Sequence, residues 1–400
     1  MDAYIIDVIR TPIGSLGGSL SPVRTDDLAA MVLKELAARN KNLPVDAIDD
    51  VIIGCHNQAG EDNRNVARMA LLLAGLAFTT PGETVNRLCA SGMSAVINAS
   101  RGITCGDGDI YFAGGVEHMT RGPWVISKSS KPFGNDSRMF DSSFGWRFVN
   151  PRMEVLYGTD AMGVTAENLA DQYKISRDEQ DLFAFRSQQK AVASRAAGRF
   201  TEEIMPVPIE MKNGSSIFDQ DEFIKPATTL EKLATLKPAF RKEGGTVTAG
   251  NSSGLNDGAA ALLLASGEAV NRHSFKPIAR IIASTYVGVE PRIMGIGPVG
   301  ATAKVLKKAG LRLDQVDVIE INEAFAAQVI ACLREMRIHN DDPRINPNGG
   351  AIALGHPLGV SGARLVMTAA RELQKTRKKI ALATMCVGVG QGAAILLERV

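Results

Sequence analysis

The chain has 400 residues, more than one ordinary hydrophobic core holds, so two or three packed units are expected. Hydrophobic residues make up 45% and charged residues 22% of the chain, the balance of a globular protein. The formal net charge of +2 gives no reason to expect nucleic acid or an anionic membrane as the main partner. No apolar run reaches the roughly 18 to 20 residues that cross a bilayer.

Five cysteines lie far apart without a C-x-x-C pair, and the five histidines form no i, i+4 pair. A disulfide framework and a metal site are therefore both unexpected. The chain begins MDAYIIDVIRTPIG, which predicts a strand and a turn rather than a signal peptide. A reducing cytoplasm is the expected location.

Strands and amphipathic helices alternate at both ends of the chain. The first elements are a strand at AYIIDVI, a helix at TDDLAAMVLKELAAR and a strand at DDVIIG. Residues 120–248 are more irregular and polar, apart from a helix at SRDEQDLFAFRSQQKAVASRAAG. The alternation resumes with IARIIAST, ATAKVLKKAG and VDVIEIN. The pattern predicts an α/β protein with an inserted segment that carries substrate contacts.

The two ends of the chain contain an internal repeat. DVI occurs at 50–52 and again at 317–319, an offset of 267 residues. The same offset sets CASGMS (89–94) against HPLGVS (356–361) and Cys55 against Asn322. We expect a duplicated α/β unit, with Cys89 and His356 at equivalent strand-to-helix turns. If the halves pack about a pseudo-twofold axis, these two turns face one cleft.

The local sequences around Cys89 and His356 suit a nucleophile and a base. Cys89 precedes a helix and small residues, where exposed N–H groups would lower the thiol pKa and a substrate could reach the sulfur. His356 lies in a glycine-rich turn. A buried structural cysteine and a loop histidine bonded to backbone remain the alternatives.

Two further candidates follow strand ends. Cys386 ends ALATMC and enters a glycine-rich turn, a setting that suits acid/base use but also an inert buried thiol. Asn322 follows VDVIEI at the carboxyl end of a strand, where α/β sheets bind ligands; its alternative role is a helix N-cap.

The segment GIGPVG (295–300) matches the dinucleotide fingerprint G-x-G-x-x-G, and Glu320 follows at a strand end. Pro298, however, removes a backbone N–H that could bind phosphate. A nicotinamide-dependent oxidoreductase is therefore a remote alternative.

Nine segments in order resemble the thiolase family along essentially the whole chain: VIRTPIG, NRLCASGMSAV, GGVEHM, TAENLA, VTAGNSSGLNDGAA, MGIGPV, INEAFAAQ, NPNGGAIALGHPLGVSGAR and CVGVGQG. The resemblance implies two duplicated αβαβαββ halves stacked as α-β-α-β-α layers. Residues 1–119 and 249–270 would form the N-terminal half, 120–248 an inserted loop domain, and 271–400 the C-terminal half. A homotetramer built as a dimer of dimers is also implied.

The resemblance assigns roles to the candidates. Cys89 would take the acyl group as a thioester, and His356 would activate its thiol. Cys386 would be the second acid/base. The His356 side chain and a water held by Asn322 would bind the thioester oxygen, and the backbone N–H groups of Cys89 and Gly388 would form a second oxyanion hole.

Coenzyme A would be a co-substrate, with no permanently bound cofactor. Ser253 matches a pantetheine contact, and Lys225 stands where acetoacetyl-CoA thiolases place a nucleotide-binding arginine. The positions that match pocket-lining residues are Met162, Phe240, Met294 and Phe325.

Within the family, CHNQAGEDNRNVARMALLLAG and FDSSFGWRFVN look most like the thiolases that act on 3-oxoadipyl-CoA in aromatic-compound degradation. Acetoacetyl-specific members carry H-M-G where this chain has Ala161-Met162-Gly163. A dicarboxylic acyl chain would need a cation, and Arg147 or Arg138 is the hypothesis for it. Acetyl-CoA acetyltransferase, fatty-acid 3-ketoacyl-CoA thiolase and a non-catalytic acyl-CoA-binding protein are the alternatives.

Overall fold

The computed structural model describes residues 1–211 and 214–400. The strands are β1 (Ala3–Arg10), β2 (Gly14–Ser15), β3 (Asp50–Gly54), β4 (Gly82–Val85), β5 (Ile110–His118), β6 (Trp124–Ile126), β7 (Met139–Asp141), β8 (Val207–Met211), β9 (Gly214–Phe218), β10 (Asn256–Ser266), β11 (Ala279–Gly288), β12 (Val318–Ile321), β13 (Ile380–Val387) and β14 (Gln391–Glu398). The α-helices are α1 (Thr25–Arg39), α2 (Val66–Leu73), α3 (Ser91–Cys105), α4 (Pro151–Tyr157), α5 (Met162–Tyr173), α6 (Arg177–Ala196), α7 (Leu230–Ala234), α8 (Gly267–His273), α9 (Gly297–Ala309), α10 (Ala326–Glu335), α11 (Ala351–Leu354) and α12 (Leu358–Thr376). Short 3₁₀ turns cover Val45–Ala47, Met119–Arg121, Pro291–Ile296 and Leu313–Gln315.

The main sheet consists of two parts with the same strand order. The first part runs β4-β3-β5-β10-β1, and the second runs β12-β13-β14-β11. The pairs toward the outer edges, β4–β3, β3–β5 and β12–β13, are parallel, and the pairs nearer the junction, such as β5–β10 and β13–β14, are antiparallel. The two parts join where Ala3, Tyr4 and Ile5 pair with Ile281, Arg280 and Ala279. The duplication expected from the sequence is therefore visible in the topology.

The second part lacks one full strand that the first part has. Ile345 forms only an isolated parallel bridge to Ile319, on the outer side of β12. Prolines at 343 and 347 limit pairing there because proline has no N–H to donate. The side chain of Asn346 replaces the missing bonds: its Oδ1 accepts from the Ile321 N–H at 2.8 Å and its Nδ2 donates to the Ile321 carbonyl at 2.9 Å.

Three apolar cores separate the layers. One core lies between the two parts of the sheet and contains α3 and α12, including Met93 and Val366. A second packs α1 and α2 on the outer face of the first part, and a third packs α9 and α10 on the outer face of the second. The order is helices, sheet, helices, sheet, helices, as the sequence predicted.

The helices α3 and α12 cross at a contact that only glycine permits. Their starts, Ser91 and Leu358, differ by the 267-residue offset. A Cβ added to Gly92 would lie 2.5 Å from the Gly359 carbonyl oxygen, and a Cβ on Gly359 would lie 2.5 Å from the Val116 carbonyl oxygen. The backbones thus touch, and the turns before both helices are brought together.

A long segment connects β5 to β10 and is anchored to the sheet by a buried ion-pair group. Arg10 of β1 donates to Asp221 at 2.6 and 2.8 Å and to Glu203 at 3.0 Å, with all three side chains buried. Among the described residues, no helix is both long enough and apolar enough to cross a membrane.

Candidate active site

Cys89 lies in a tight turn between β4 and α3. The preceding residue, Leu88, has a φ of 47°, a conformation that is uncommon for residues other than glycine. The Leu88 N–H donates to Asn86 Oδ1 at 2.9 Å, and the Ser91 hydroxyl donates to the Leu88 carbonyl at 2.7 Å. These bonds fix Cys89, whose side chain is partly exposed, just before the helix.

Burial raises the pKa of the Cys89 thiol to about 11. The N–H groups of Gly388 and of Cys89 itself act in the opposite direction because they hydrogen-bond the sulfur, and Glu117 raises the pKa further. The expected lowering of the pKa by N–H groups is thus present, but it does not make the resting thiol a thiolate. Desolvation exceeds the N–H contribution, so the thiol needs a base.

His356 is held in a turn between α11 and α12 by hydrogen bonds on several sides. Its backbone N–H donates to Asn256 Oδ1 at 2.9 Å, and its Nδ1 lies 2.6 Å from Ser361 Oγ. The Ser361 hydroxyl donates to the Pro357 carbonyl at 3.0 Å, so its oxygen accepts from Nδ1–H. This arrangement leaves Nε2 as the unprotonated nitrogen, and Asn322 Nδ2 lies 3.4 Å from it.

Burial, the Arg364 guanidinium and His56 lower the pKa of His356 to about 3. The imidazole is consequently neutral at physiological pH, with a lone pair on Nε2 to accept a proton. A neutral thiol and a neutral imidazole form the resting state. The imidazolium would exist only during the reaction, after Nε2 has taken the proton of the Cys89 thiol.

Asn322 lies directly after β12, and its amide contributes to the site rather than to a helix end. Helix α10 begins only at Ala326 with Phe325 as its N-cap, so the alternative of a helix cap is wrong. The Asn322 N–H donates to the Thr384 carbonyl at 3.1 Å. Its Oδ1 is buried without a hydrogen-bond partner among the described residues. A buried acceptor of this kind is available to a ligand or a water.

Cys386 lies at the end of β13, beside Cys89. Burial and the neighbouring Cys89 sulfur raise its pKa well above the ordinary value. Cys386 packs in a small apolar cluster with Met162, Met294 and Phe325, three of the residues predicted to line a pocket. Gly388 follows in the β13–β14 turn, where an added Cβ would lie 3.1 Å from the Leu88 side chain.

The predicted CoA contacts extend from this cluster toward the surface. Phe240, 41% exposed, packs edge to face on Phe325 with ring centroids 6.0 Å apart. The Ser253 N–H donates to the Ala324 carbonyl at 3.0 Å. Lys225 is exposed, and its Nζ lies 4.4 Å from the Phe223 ring centroid.

Glu117 is a site residue that the sequence analysis did not single out. This buried carboxylate accepts N–H bonds from His56 at 3.0 Å, Asn57 at 3.1 Å and Gly359 at 2.8 Å, so it ties the turn after β3 to the turn after His356. It also acts on the pKa of Cys89. The signal was a single acidic residue in an otherwise apolar strand, IYFAGGVEH. The repeat includes Ser361 as the last residue of HPLGVS but does not reveal that its hydroxyl contacts the His356 ring.

Two family descriptions together match nearly the whole chain. "Thiolase, N-terminal domain" matches residues 3–268, and "Thiolase, C-terminal domain" matches residues 275–399. The chain belongs to the thiolase family. The nine segments that carry the resemblance in the sequence thus identified the family correctly.

Named thiolases resemble this thiolase over their full lengths. The β-ketoadipyl-CoA thiolase of Pseudomonas aeruginosa is 57% identical over 399 residues, which cover 100% of this chain and 99% of that protein. The 3-oxoadipyl-CoA/3-oxo-5,6-dehydrosuberyl-CoA thiolase of Escherichia coli is 56% identical over 400 residues and 100% of both chains.

Two solved structures have the same fold. The Bacillus anthracis acetyl-CoA acetyltransferase superposes with a TM-score of 0.92 at 39% identity, and human mitochondrial 3-ketoacyl-CoA thiolase with 0.93 at 38% identity. Each comparison covers 100% of this chain and 99% of the other. The α-β-α-β-α architecture is therefore that of the thiolase fold.

In this thiolase, the first two glycines of GIGPVG are required by packing. A Cβ on Gly295 would lie 2.6 Å from the side chains of Gln328 and Leu169, and a Cβ on Gly297 would lie 2.3 Å from the Gln391 carbonyl oxygen. The segment lies against β14 and α10 rather than forming a phosphate-binding loop. The dinucleotide reading is wrong.

Proposed function

We propose that the chain catalyses the CoA-dependent cleavage of 3-oxoadipyl-CoA to succinyl-CoA and acetyl-CoA through an acyl group on Cys89. The observation that supports this best is the set of groups around one sulfur. Cys89 has the N–H groups of Gly388 and Cys89 on its sulfur, and it has a second thiol, Cys386, as its neighbour. A neutral imidazole stands at the equivalent turn of the other half.

In the first half-reaction, His356 Nε2 takes the proton of the Cys89 thiol. The thiolate attacks the C3 carbonyl of the substrate, and the N–H groups of Cys89 and Gly388 stabilise the oxyanion. The C2–C3 bond then breaks, and its electron pair becomes the enolate of acetyl-CoA. His356 and a water on Asn322 stabilise that thioester oxygen, while the Cys386 thiol protonates C2.

In the second half-reaction, the Cys386 thiolate takes the proton of the incoming CoA thiol. The CoA sulfur attacks the Cys89 thioester, and the same two N–H groups stabilise the oxyanion. Cys89 leaves as a thiolate and recovers its proton from the His356 imidazolium. Succinyl-CoA is released, and both cysteines and the histidine are restored. CoA is thus a co-substrate, and no permanently bound cofactor takes part.

The substrate is inferred from the full-length relatives and from the pocket. Relatives at 56% to 57% identity carry 3-oxoadipyl-CoA or β-ketoadipyl-CoA in their names, whereas an acetyl-CoA acetyltransferase of Chromobacterium violaceum is 45% identical. Ala161 stands where acetoacetyl-specific members carry histidine, which leaves room for a longer acyl chain. Ser253, Lys225 and Phe240 would contact CoA, and Met162, Met294 and Phe325 the acyl side.

We further propose a homotetramer, a dimer of dimers, in the cytoplasm, with residues 120–248 as the loop domain that receives CoA. All five cysteines are free, which fits a reducing compartment.

A thiolysis panel tests this function. The protein would be incubated with CoA and, in turn, 3-oxoadipyl-CoA, 3-oxohexanoyl-CoA and acetoacetyl-CoA, with loss of the enolate absorbance followed and the products identified by mass spectrometry. We expect the highest kcat/KM and a succinyl-CoA product with 3-oxoadipyl-CoA. Preferred cleavage of acetoacetyl-CoA would support an acetyltransferase instead, and no cleavage of any ester would refute the proposal.

A further inference from the structure

The proposed substrate ends in a free carboxylate that the enzyme must accommodate. An anion that enters a partly buried pocket loses hydration, and an arginine with free N–H donors is the usual group that compensates for this loss. The structure distinguishes between the arginines that could serve. This inference rests on the proposed function, since it concerns the acyl group of that substrate.

Arg147 lies in the connection after β7, fixed between two parts of the site. Its Nη1 donates to the Ser142 carbonyl at 3.0 Å, and its Nη2 donates to Asn57 Oδ1 at 3.3 Å. The ring N–H of the preceding residue, Trp146, donates to the Asp160 carbonyl at 3.2 Å. The arginine therefore has a defined position although it stands in an irregular segment.

The residues that bond Trp146 and Arg147 connect this segment to catalytic parts. Asp160 lies two residues before Met162, which packs in the cluster of Cys386. On the opposite side, Asn57 donates its N–H to Glu117, the carboxylate that also holds Gly359 of the His356 turn. The neighbouring His56 carbonyl accepts from the Asn86 side chain of the Cys89 turn at 2.9 Å.

The charge of Arg147 is uncompensated by any carboxylate. Within the described parts of the chain, no Asp or Glu oxygen lies within 4.0 Å of its guanidinium, and both of its bonds go to neutral oxygens. Other arginines of this region are paired: Arg292 with Asp160 at 2.9 Å, and Arg121 with Glu61 at 2.5 Å. A half-buried guanidinium keeps most of its five N–H donors for another acceptor.

The geometry points to Arg147 as the residue that binds the distal carboxylate of the acyl chain and so selects a dicarboxylic substrate. The second candidate, Arg138, is exposed on the β6–β7 hairpin. Arg87, close to Cys89 in sequence, is stacked 3.8 Å over the Tyr286 ring and donates to Ser94 and Gln391. The Arg87 guanidinium is thus already engaged by other residues of the protein.

The test compares two enzymes with two substrates. Wild type and Arg147→Gln would be assayed with 3-oxoadipyl-CoA and with 3-oxohexanoyl-CoA, which has a methyl group in place of the carboxylate. Loss of a hydrogen-bonded charge pair predicts a decrease of about 10- to 100-fold in kcat/KM for 3-oxoadipyl-CoA only. Arg147→Lys should recover part of the preference, and Arg138→Gln is the matched control that should leave both values unchanged.

Equal decreases on both substrates would show that Arg147 only holds the segment in place, and the inference would be overturned. An unchanged preference in Arg147→Gln would overturn it as well, while the proposed function stands. A wild-type enzyme that cleaves both esters without preference would instead refute the proposed substrate, and this inference with it.

Discussion

The turn before α3 and the turn before α12 occupy equivalent places in the two halves, but equivalent side chains near them have different hydrogen-bond partners. Ser94 accepts hydrogen bonds from Arg87 and from the Tyr286 hydroxyl, both at 3.0 Å. Its counterpart, Ser361, lies 2.6 Å from the His356 ring. The two halves thus share a backbone arrangement, while one presents a sulfur and the other an imidazole.

A second equivalent pair differs in the same way. Cys55 directs its thiol toward Asp62, with 3.6 Å between Sγ and Oδ2, and takes no part in the proposed chemistry. Asn322, at the same place in the second half, contacts the His356 ring. The fold therefore supplies two similar frames, and only the combination of both contains a complete set of groups. The predictions below test this division of roles.

The largest effect is expected from removal of the nucleophile. Cys89→Ala should reduce kcat for thiolysis by at least about 10⁴-fold, because it removes the sulfur that the N–H groups of Cys89 and Gly388 contact. The measurement is steady-state thiolysis, with intact-protein mass spectrometry to detect the succinyl adduct on wild type alone. Cys55→Ala is the equivalent change at an unused thiol and should retain most of the activity; an adduct on the Cys89→Ala protein would contradict the assignment.

Removal of the base should have the next largest effect. His356→Asn keeps a polar side chain but has no nitrogen that accepts a proton, so kcat should decrease about 10²- to 10⁴-fold. In wild type, the pKa of about 3 leaves the imidazole neutral, so its protonation should not cause an activity loss between pH 5 and 7. A wild-type acid limb near pH 6.5 that disappears in His356→Asn would refute the low pKa.

The two equivalent serines offer a matched comparison. Ser361→Ala removes the acceptor that orients the His356 ring, and the loss of one hydrogen bond predicts a decrease of about 10-fold in kcat. Ser94→Ala removes a similarly buried hydroxyl and should lower the melting temperature by a similar amount, with kcat changed by less than about 2-fold. Equal kcat values for the two variants would show that the ring orientation does not depend on Ser361.

The smallest change concerns the reactivity of the resting thiol. Because the pKa of Cys89 is about 11, only a small fraction is thiolate at neutral pH, and that fraction should rise about tenfold per pH unit between pH 7 and 10. The rate of Cys89 alkylation by iodoacetamide should follow this rise. Peptide mass spectrometry would report it, with the exposed Cys105 as internal reference, and a rate that levels off near pH 7 would indicate a stable thiolate pair with His356.

Features that depend on local sequence and on the repeat were predictable. The 267-residue offset placed Cys89 and His356 at equivalent turns, and α3 and α12 begin at positions that differ by that offset. The family motifs added the fold and the pocket residues. Met162, Met294 and Phe325 pack around Cys386, and their role in lining a substrate pocket stays a prediction.

Features that depend on burial by distant segments were not predictable. The pKa of Cys89 rises because parts of both halves surround the sulfur, which no local pattern reveals. Glu117 acts through N–H groups from two remote turns. At the outer edge of the second half, an isolated bridge at Ile345 stands where the first half has the strand β4, and the Asn346 side chain makes hydrogen bonds that a strand backbone would otherwise make.

The glycine contact between α3 and α12 has a consequence for how the enzyme loses activity. The nucleophile and the base are carried by different halves, and their alignment depends on two backbones in contact at Gly92 and Gly359. A slight loosening of that contact would misalign the thiol and the imidazole while each half kept its own helices and strands. Catalytic activity should therefore decrease at a lower denaturant concentration than the far-ultraviolet circular dichroism signal of the helices and strands. The difference between the two midpoints would measure how strongly the two halves are held together.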